Sequence, residues 1–178
     1  SDPLCPHFCY AGEDGDRCGG CVYQTISYKD ELSIKTHQVE LLFKNIVSDF
    51  DKVFSGVTES PSCDGYRNKM EFTFGNRVLD GPLELGMHRK GSFYDIVSVP
   101  ECTICDPDFG LIVDSTREYF KNVAFYRKGC HRGYLRHLLV RRAHFTGQIL
   151  VDLVTADYLP ESWSGDLKES ERFMPFTD

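Results

Sequence analysis

The residues in this chain best suited to chemistry are its cysteines. Four of them, Cys5, Cys9, Cys18 and Cys21, fall in the opening run CPHFCYAGEDGDRCGGC. Cys-x-x-Cys spacing lets the sulfurs of Cys18 and Cys21 face one atom or cluster. Gly19 and Gly20 between them remove the Cβ atoms that would resist a tight turn. Pro6 stiffens the entry and has no amide hydrogen to leave unpaired beside a metal. Cys102 and Cys105 follow much later, in PECTIC. A [4Fe–4S] cluster needs four thiolates. Cys18 and Cys21 supply two; Cys5 or Cys9 is a candidate third and Cys102 or Cys105 a candidate fourth. Zinc competes, with Cys18, Cys21, Cys102 and Cys105 as a Cys₄ site. Against zinc, 80 residues separate the two pairs, where a zinc ribbon has about 15–20. Cys63 and Cys130 stand alone and read as reduced, buried thiols.

Composition sets the surroundings of these thiols. The chain has 178 residues, enough for one domain with its own core. No apolar run reaches the roughly 20 residues that cross a bilayer, so no membrane partner is expected. The start shows no signal-peptide pattern, which favours the cytoplasm, where clustered cysteines bind metal rather than form disulfides. Net charge is −7, which weighs against nucleic acid as a partner. The distribution reverses that weight. Between Tyr119 and Gly147 there are seven cations (Lys121, Arg127, Lys128, Arg132, Arg136, Arg141, Arg142) and no acid. Such a block is a candidate phosphate-facing surface. The competing reading, of equal weight on sequence, is a solvated face neutralised by acids from elsewhere in the fold.

The elements that must position these residues follow from periodicity. Residues 1–26 read as an irregular, cysteine-rich segment. Ser27, with Asp30 three positions on, predicts a helix start. Leu32, Val39, Leu42, Phe43, Ile46 and Phe50 recur at helical spacing, which predicts a helix to about Ser48 with this stripe packed on a sheet. Residues 55–64 read as a loop. Tyr66, Met70, Phe72 and Phe74 alternate with Arg67, Lys69, Glu71 and Thr73, the pattern of a strand with one polar face. Strands over 85–88 and 93–97 complete an antiparallel meander. Asp106-Pro107 predicts a capped second helix, with Phe109, Ile112, Val113, Thr116 and Phe120 facing inward. Residues 134–142 and 148–155 read as a hairpin whose first strand, apolar on both faces at Leu138-Leu139-Val140, is central. The expected class is α+β, a mostly antiparallel sheet flanked by two main helices, with no internal repeat.

Several stretches in series resemble one family. Cys5-Pro6-His7-Phe8, Cys18-Gly19-Gly20-Cys21 with Gln24, Tyr28 and Lys35 are similar to the start of the iron–sulfur RNA 5-methyluridine (uracil-C5) methyltransferases. Tyr66-Arg67-Asn68-Lys69 with Glu71-Phe72, Leu85-Gly86, Asp95-Ile96 before Cys102, and Gly133-Tyr134-Leu135-Arg136 before Val140-Arg141 extend the resemblance in the family's order, over about residues 5–155. It implies a [4Fe–4S] cluster on Cys5, Cys18, Cys21 and Cys102. One departure stands out: twelve residues separate Cys5 from Cys18, more than the family's spacing, and Cys9 falls in the extra length.

The resemblance also implies what this stretch does. The family binds S-adenosylmethionine on a Rossmann-like sheet with a glycine-rich loop, and attacks uracil with a cysteine in a proline-rich acidic motif. Neither pattern is present, so no residue here is assigned a catalytic role. The small RNA-binding barrel that often precedes the cluster is absent too. The chain then reads as a central domain: a cluster-binding segment over 1–26, an RNA-binding α+β domain over 27–157, and a linker over 158–178 toward a catalytic domain. RNA, ribosomal 23S RNA in particular, is the implied partner. Phosphate contacts are expected from Arg67, Lys69, Arg132, Arg136, Arg141 and Arg142, which position RNA without reading it. The alternative from another class is a stand-alone Cys₄ zinc module with protein partners.

Overall fold

The structure, a computed structural model, describes residues 2–8, 17–127 and 129–157. Cys9, Lys128 and the expected linker at 158–178 lie outside the described residues. Alternating residues build strand β1 (Lys69–Asn76), whose Met70, Phe72 and Phe74 are buried while Lys69 and Glu71 are exposed. β1 is the middle of a five-stranded sheet with β2 (Leu83–His88), β3 (Ile96–Val97), β4 (Leu135–Arg142) and β5 (Ile149–Thr155). The order is β3-β2-β1-β4-β5 and every pairing is antiparallel. The class is thus α+β, as the periodicity indicates. β4 is interior, between β1 and β5, with Leu138 and Val140 fully buried. The strand expected at 93–97 shrinks to Ile96–Val97, and Phe93 and Tyr94 are exposed. The Ser92 hydroxyl accepts from the amides of Tyr94 and Asp95, which holds that stretch in a turn instead.

Among the helices, α1 spans Tyr28–Phe43, α2 is the short turn Phe50–Val53, and α3 spans Pro107–Tyr119. α3 begins as its sequence dictates. Asp106 Oδ1 accepts from the Asp108 amide at 3.0 Å, and Pro107 occupies a first-turn position whose missing amide hydrogen is not needed. Phe109, Val113 and Thr116 are buried, Phe120 follows them, and its ring meets Phe74 edge-on at 6.4 Å. The buried Thr116 hydroxyl is satisfied by the Ile112 carbonyl at 2.6 Å.

The first helix corrects an expectation. Ser27 caps α1 through its hydroxyl, which accepts from the Asp30 amide at 3.1 Å, but the helix ends at Phe43, and none of its residues is buried. Leu42, Phe43 and Ile46 are exposed and Leu32 and Val39 only half-buried; of the predicted stripe, only Phe50, in α2, is in the interior. The segment lying along α1 is the 57–60 loop, tied by the Tyr28 hydroxyl accepting from the Ser60 amide at 2.6 Å. A loop covers a strip of a helix, where a sheet would cover a face.

The entry to β4 depends on a glycine. Gly133 has φ +122°, and a Cβ there would stand 1.9 Å from the Phe125 carbonyl oxygen. Only glycine lets the chain pass this close to residues 124–127, whose backbone pairs with residues 132–135.

Candidate metal centre and cationic surface

Four of the thiols meet at one end of the sheet. Because β1 and β2 are antiparallel, the start of β1 and the end of β2 lie together there. The N-terminal segment docks on the end of β2: Gly19 N–H donates to the His88 carbonyl at 3.0 Å, and the Lys90 amide to the Arg17 carbonyl at 3.0 Å. Residues 103–104 dock on the approach to β1, where their carbonyls accept from the amides of Gly65 (3.0 Å) and Arg67 (2.8 Å). Cys5, Cys18, Cys21 and Cys102 thereby line one cavity, with Phe8, Met70, Met87 and Val99 among its apolar walls. A Cβ on Gly19 would come within 3.1 Å of Lys90 Cα. At this position the glycine serves a close approach to β2 rather than a left-handed turn.

The electrostatics of the cavity follow from burial and hydrogen bonding. Burial pushes the Cys18 thiol up to about 11, against the Gly20 amide that donates to its sulfur at 3.3 Å; the charges of Cys21, Cys102 and Cys5 push the same way as burial. Burial also raises Cys21, opposed by a hydrogen bond from the Gln24 side chain. Cys102 is pulled down to about 6, chiefly by the neighbouring Cys105 side chain, then by the amides of Ile104 and Cys105 and the charge of Arg67; the Cys105 thiol itself donates to the Cys102 carbonyl at 3.7 Å. Cys105 is correspondingly raised, and it faces Cys102 instead of the cavity. Cys63 and Cys130, expected to be buried, are exposed instead: both sit in loops outside the hydrophobic core.

This donor set fits a thiolate-ligated inorganic group. Four cysteines line one space, and the Gly20 amide already donates to the Cys18 sulfur, which offsets thiolate charge. Among the described residues, no three His, Cys, Asp or Glu side chains are gathered tightly enough to hold a single metal ion. Gln24, His7 and Arg67 are cavity residues that cysteine spacing does not reveal. Gln24 Oε1 accepts from the Cys5 amide at 3.1 Å, so one side chain serves two of the thiol-bearing residues. The sequence signal for Gln24 and His7 is their place in the motifs around Cys21 and Cys5, which gives them no role by itself.

The basic block divides when its partners are located. Arg127 pairs with Asp80 at 2.8 Å, Lys121 pairs with Glu118, and Arg142 bridges Asp106 and Asp108 at 2.8 Å each. Acids brought by folding therefore occupy Arg127 and Arg142, and a neighbour in sequence occupies Lys121. Arg132 and Arg141 are exposed, and neither they nor Arg136 pairs with a carboxylate among the described residues. Arg141 stands opposite Lys69 in the β1–β4 register, on the sheet face away from Met70 and Val140. A register shift between Leu135 and His137 re-aims Arg136, whose guanidinium lies 4.1 Å from the centroid of the Tyr126 ring. Arg67 is not part of this face; it lines the thiol cavity.

Comparison with known proteins places this architecture. An RNA methyltransferase of Caldanaerobacter subterraneus is 45% identical over 176 residues, covering 97% of this chain and 37% of the relative. One from Clostridium acetobutylicum is 43% identical over 158 residues, covering 87% of this chain and 33% of the relative. Another, from Thermosynechococcus vestitus, is 30% identical over 145 residues, covering 82% and 32%. The chain spans about a third of the length of the curated relatives it matches. Among solved structures, the Pyrococcus abyssi tRNA (uracil-54, C5)-methyltransferase, in complex with S-adenosyl-L-homocysteine, shares the fold with a TM-score of 0.63 at 22% identity, over 82% of this chain and 33% of that one. No family profile matches the chain. Among the described residues, no helix is long and apolar enough to cross a membrane.

Proposed function

We propose that this chain is the cluster-binding and RNA-gripping part of an S-adenosylmethionine-dependent RNA uracil-C5 methyltransferase, with methyl transfer performed by a part of the parent protein outside this stretch. One observation carries the reading. Cys5, Cys18, Cys21 and Cys102, drawn from segments 80 residues apart, line a single cavity in a chain homologous to RNA methyltransferases. These four residues would hold a [4Fe–4S] group, and the chain's own amides at Gly20, Ile104 and Cys105 would donate to its thiolates.

When bound, that group supplies a four-point crosslink between the N-terminal segment and the sheet. The chain's residues do the rest. Lys69 and Arg141 offer two adjacent cations on the open sheet face, and Arg132 and Arg136 offer two more near the start of β4. Together they hold RNA phosphates while the base is presented elsewhere. Ribosomal RNA, 23S in particular, is the substrate we favour on the motif resemblance, and the cytoplasm the compartment.

The test is metal analysis with an absorption spectrum on protein purified without oxygen, with Cys102→Ser beside it. Iron and sulfide with broad visible absorption, lost in Cys102→Ser, is the expected result. Stoichiometric zinc in a colourless protein would overturn the cluster and restore the zinc-module alternative.

A further inference from the structure

We infer that His7 donates a hydrogen bond from Nε2 to the inorganic group of the thiol cavity, an inference that rests on the cluster reading above. His7 is fixed between two of the thiol segments: it follows Cys5 by two positions, and its carbonyl accepts from the Cys18 amide at 2.9 Å. His7 is among the residues that line the cavity. Its Nε2 is shielded from solvent and has no hydrogen-bond partner among the described residues. Buried polar nitrogens are rarely left that way, because nothing replaces the water they have lost.

No described group accepts from Nε2. Phe8, Met70, Met87 and Val99 are apolar or nearly so, and Gln24 Oε1 is taken by the Cys5 amide. What the cavity is built to hold is rich in acceptors, since every sulfide and thiolate of a cluster accepts hydrogen bonds. The Nε2–H tautomer meets that need without a charge. Such a bond favours the reduced, more negative form of a cluster, so it raises the reduction potential. His7 is therefore a tuning residue, and Cys5, Cys18, Cys21 and Cys102 remain the ligands.

The experiment uses the protein that carries this chain, purified without oxygen, as wild type, His7→Phe and His7→Gln. Iron and sulfide are measured first. The cluster is then titrated with dithionite in the presence of mediators, each cluster gaining one electron and no proton, and followed by electron paramagnetic resonance. Both variants are expected to keep wild-type iron. The potential should become more negative in His7→Phe and return toward wild type in His7→Gln, whose amide can donate. An unchanged potential in His7→Phe overturns the inference. Loss of iron from both variants also overturns it, by making His7 a ligand. A wild-type protein without iron brings down the cluster reading itself, and that is seen before any variant is compared.

Discussion

Arg141 and Arg142 are adjacent in sequence and do different work, which gives a sharp test of the cationic surface. Successive residues of a strand point to opposite faces. Arg141 faces outward opposite Lys69 with no carboxylate partner among the described residues, while Arg142 bridges Asp106 and Asp108 and ties the end of β4 to the start of α3. If RNA phosphates replace missing carboxylates, the available cations are Lys69, Arg132, Arg136 and Arg141. Each phosphate neutralised on a single strand contributes about 0.7 to the fall of log K with log salt, so the wild-type slope should be about −3. Arg141→Ala should flatten it to about −2. Arg142→Ala should leave the slope alone and instead remove a partly exposed ion pair worth about 0.5–1 kcal/mol. In a domain of this size that lowers Tm by about 1–4 °C. Fluorescence anisotropy with labelled RNA at four or more salt concentrations gives the slopes, and thermal unfolding gives the other readout. Equal flattening by both variants, or none by Arg141→Ala, would refute the division of roles.

Three further outcomes follow from packing. Phe109→Ala removes a fully buried ring between α3 and the sheet and should cost about 3–5 kcal/mol in denaturant unfolding; a loss under 1 kcal/mol would mean α3 is not packed as described. Gly133→Ala should destabilise by about 1–3 kcal/mol or more from its φ alone, before its contact with the Phe125 carbonyl is counted. A wild-type melting curve for that variant would contradict the close approach. Leu42→Ser, on the open side of α1, should stay within about 0.5 kcal/mol of wild type in this chain, because Leu42 is already exposed; a large loss would show that something covers the helix.

Much of the sheet was legible because alternation is a direct consequence of strand geometry. Met70, Phe72 and Phe74 declare one face, Leu138 and Val140 the matching one, and the register pairs them across β1 and β4. The start of α3 was legible for an equally local reason, since Asp106 and Pro107 satisfy the first turn by themselves. The stripe of α1 was misleading because periodicity says which residues share a face, not what covers it. Arg67 shows the same limit of pattern. It has the parity of Lys69, but its amide is held by the Ile104 carbonyl ahead of the strand, and there the side chain serves the cavity. The basic block looked continuous because its neutralising acids, Asp80, Asp106 and Asp108, are remote in sequence from Arg127 and Arg142.

The placement of the thiol cavity explains why an inorganic group would matter at this end of the sheet. Apart from Cys5 and Phe8, the described part of the N-terminal segment contributes no buried residue, so it gains little from the hydrophobic core. What attaches it to the sheet is a short set of backbone bonds, chiefly Gly19 to His88 and Lys90 to Arg17, with Cys18 to His7 joining its own two halves. Each such bond adds only about 0.5–1.5 kcal/mol net, against roughly 1–2 kcal/mol of backbone entropy for each residue it orders. Summed over the residues of the segment, the entropy cost outweighs those few bonds, so the segment lacks a surplus of its own. Sulfur–metal bonds from Cys5, Cys18 and Cys21 would supply that surplus, and Cys102 would transmit it to the approach of β1 through residues 103–104. The core of β1, β2, β4 and α3 needs none of this, since Phe72, Leu85, Leu138 and Phe109 are fully buried without it. A cluster in this position would therefore order the edge that frames the thiols while leaving the sheet's stability, and the cations on its open face, to the residues that already hold them.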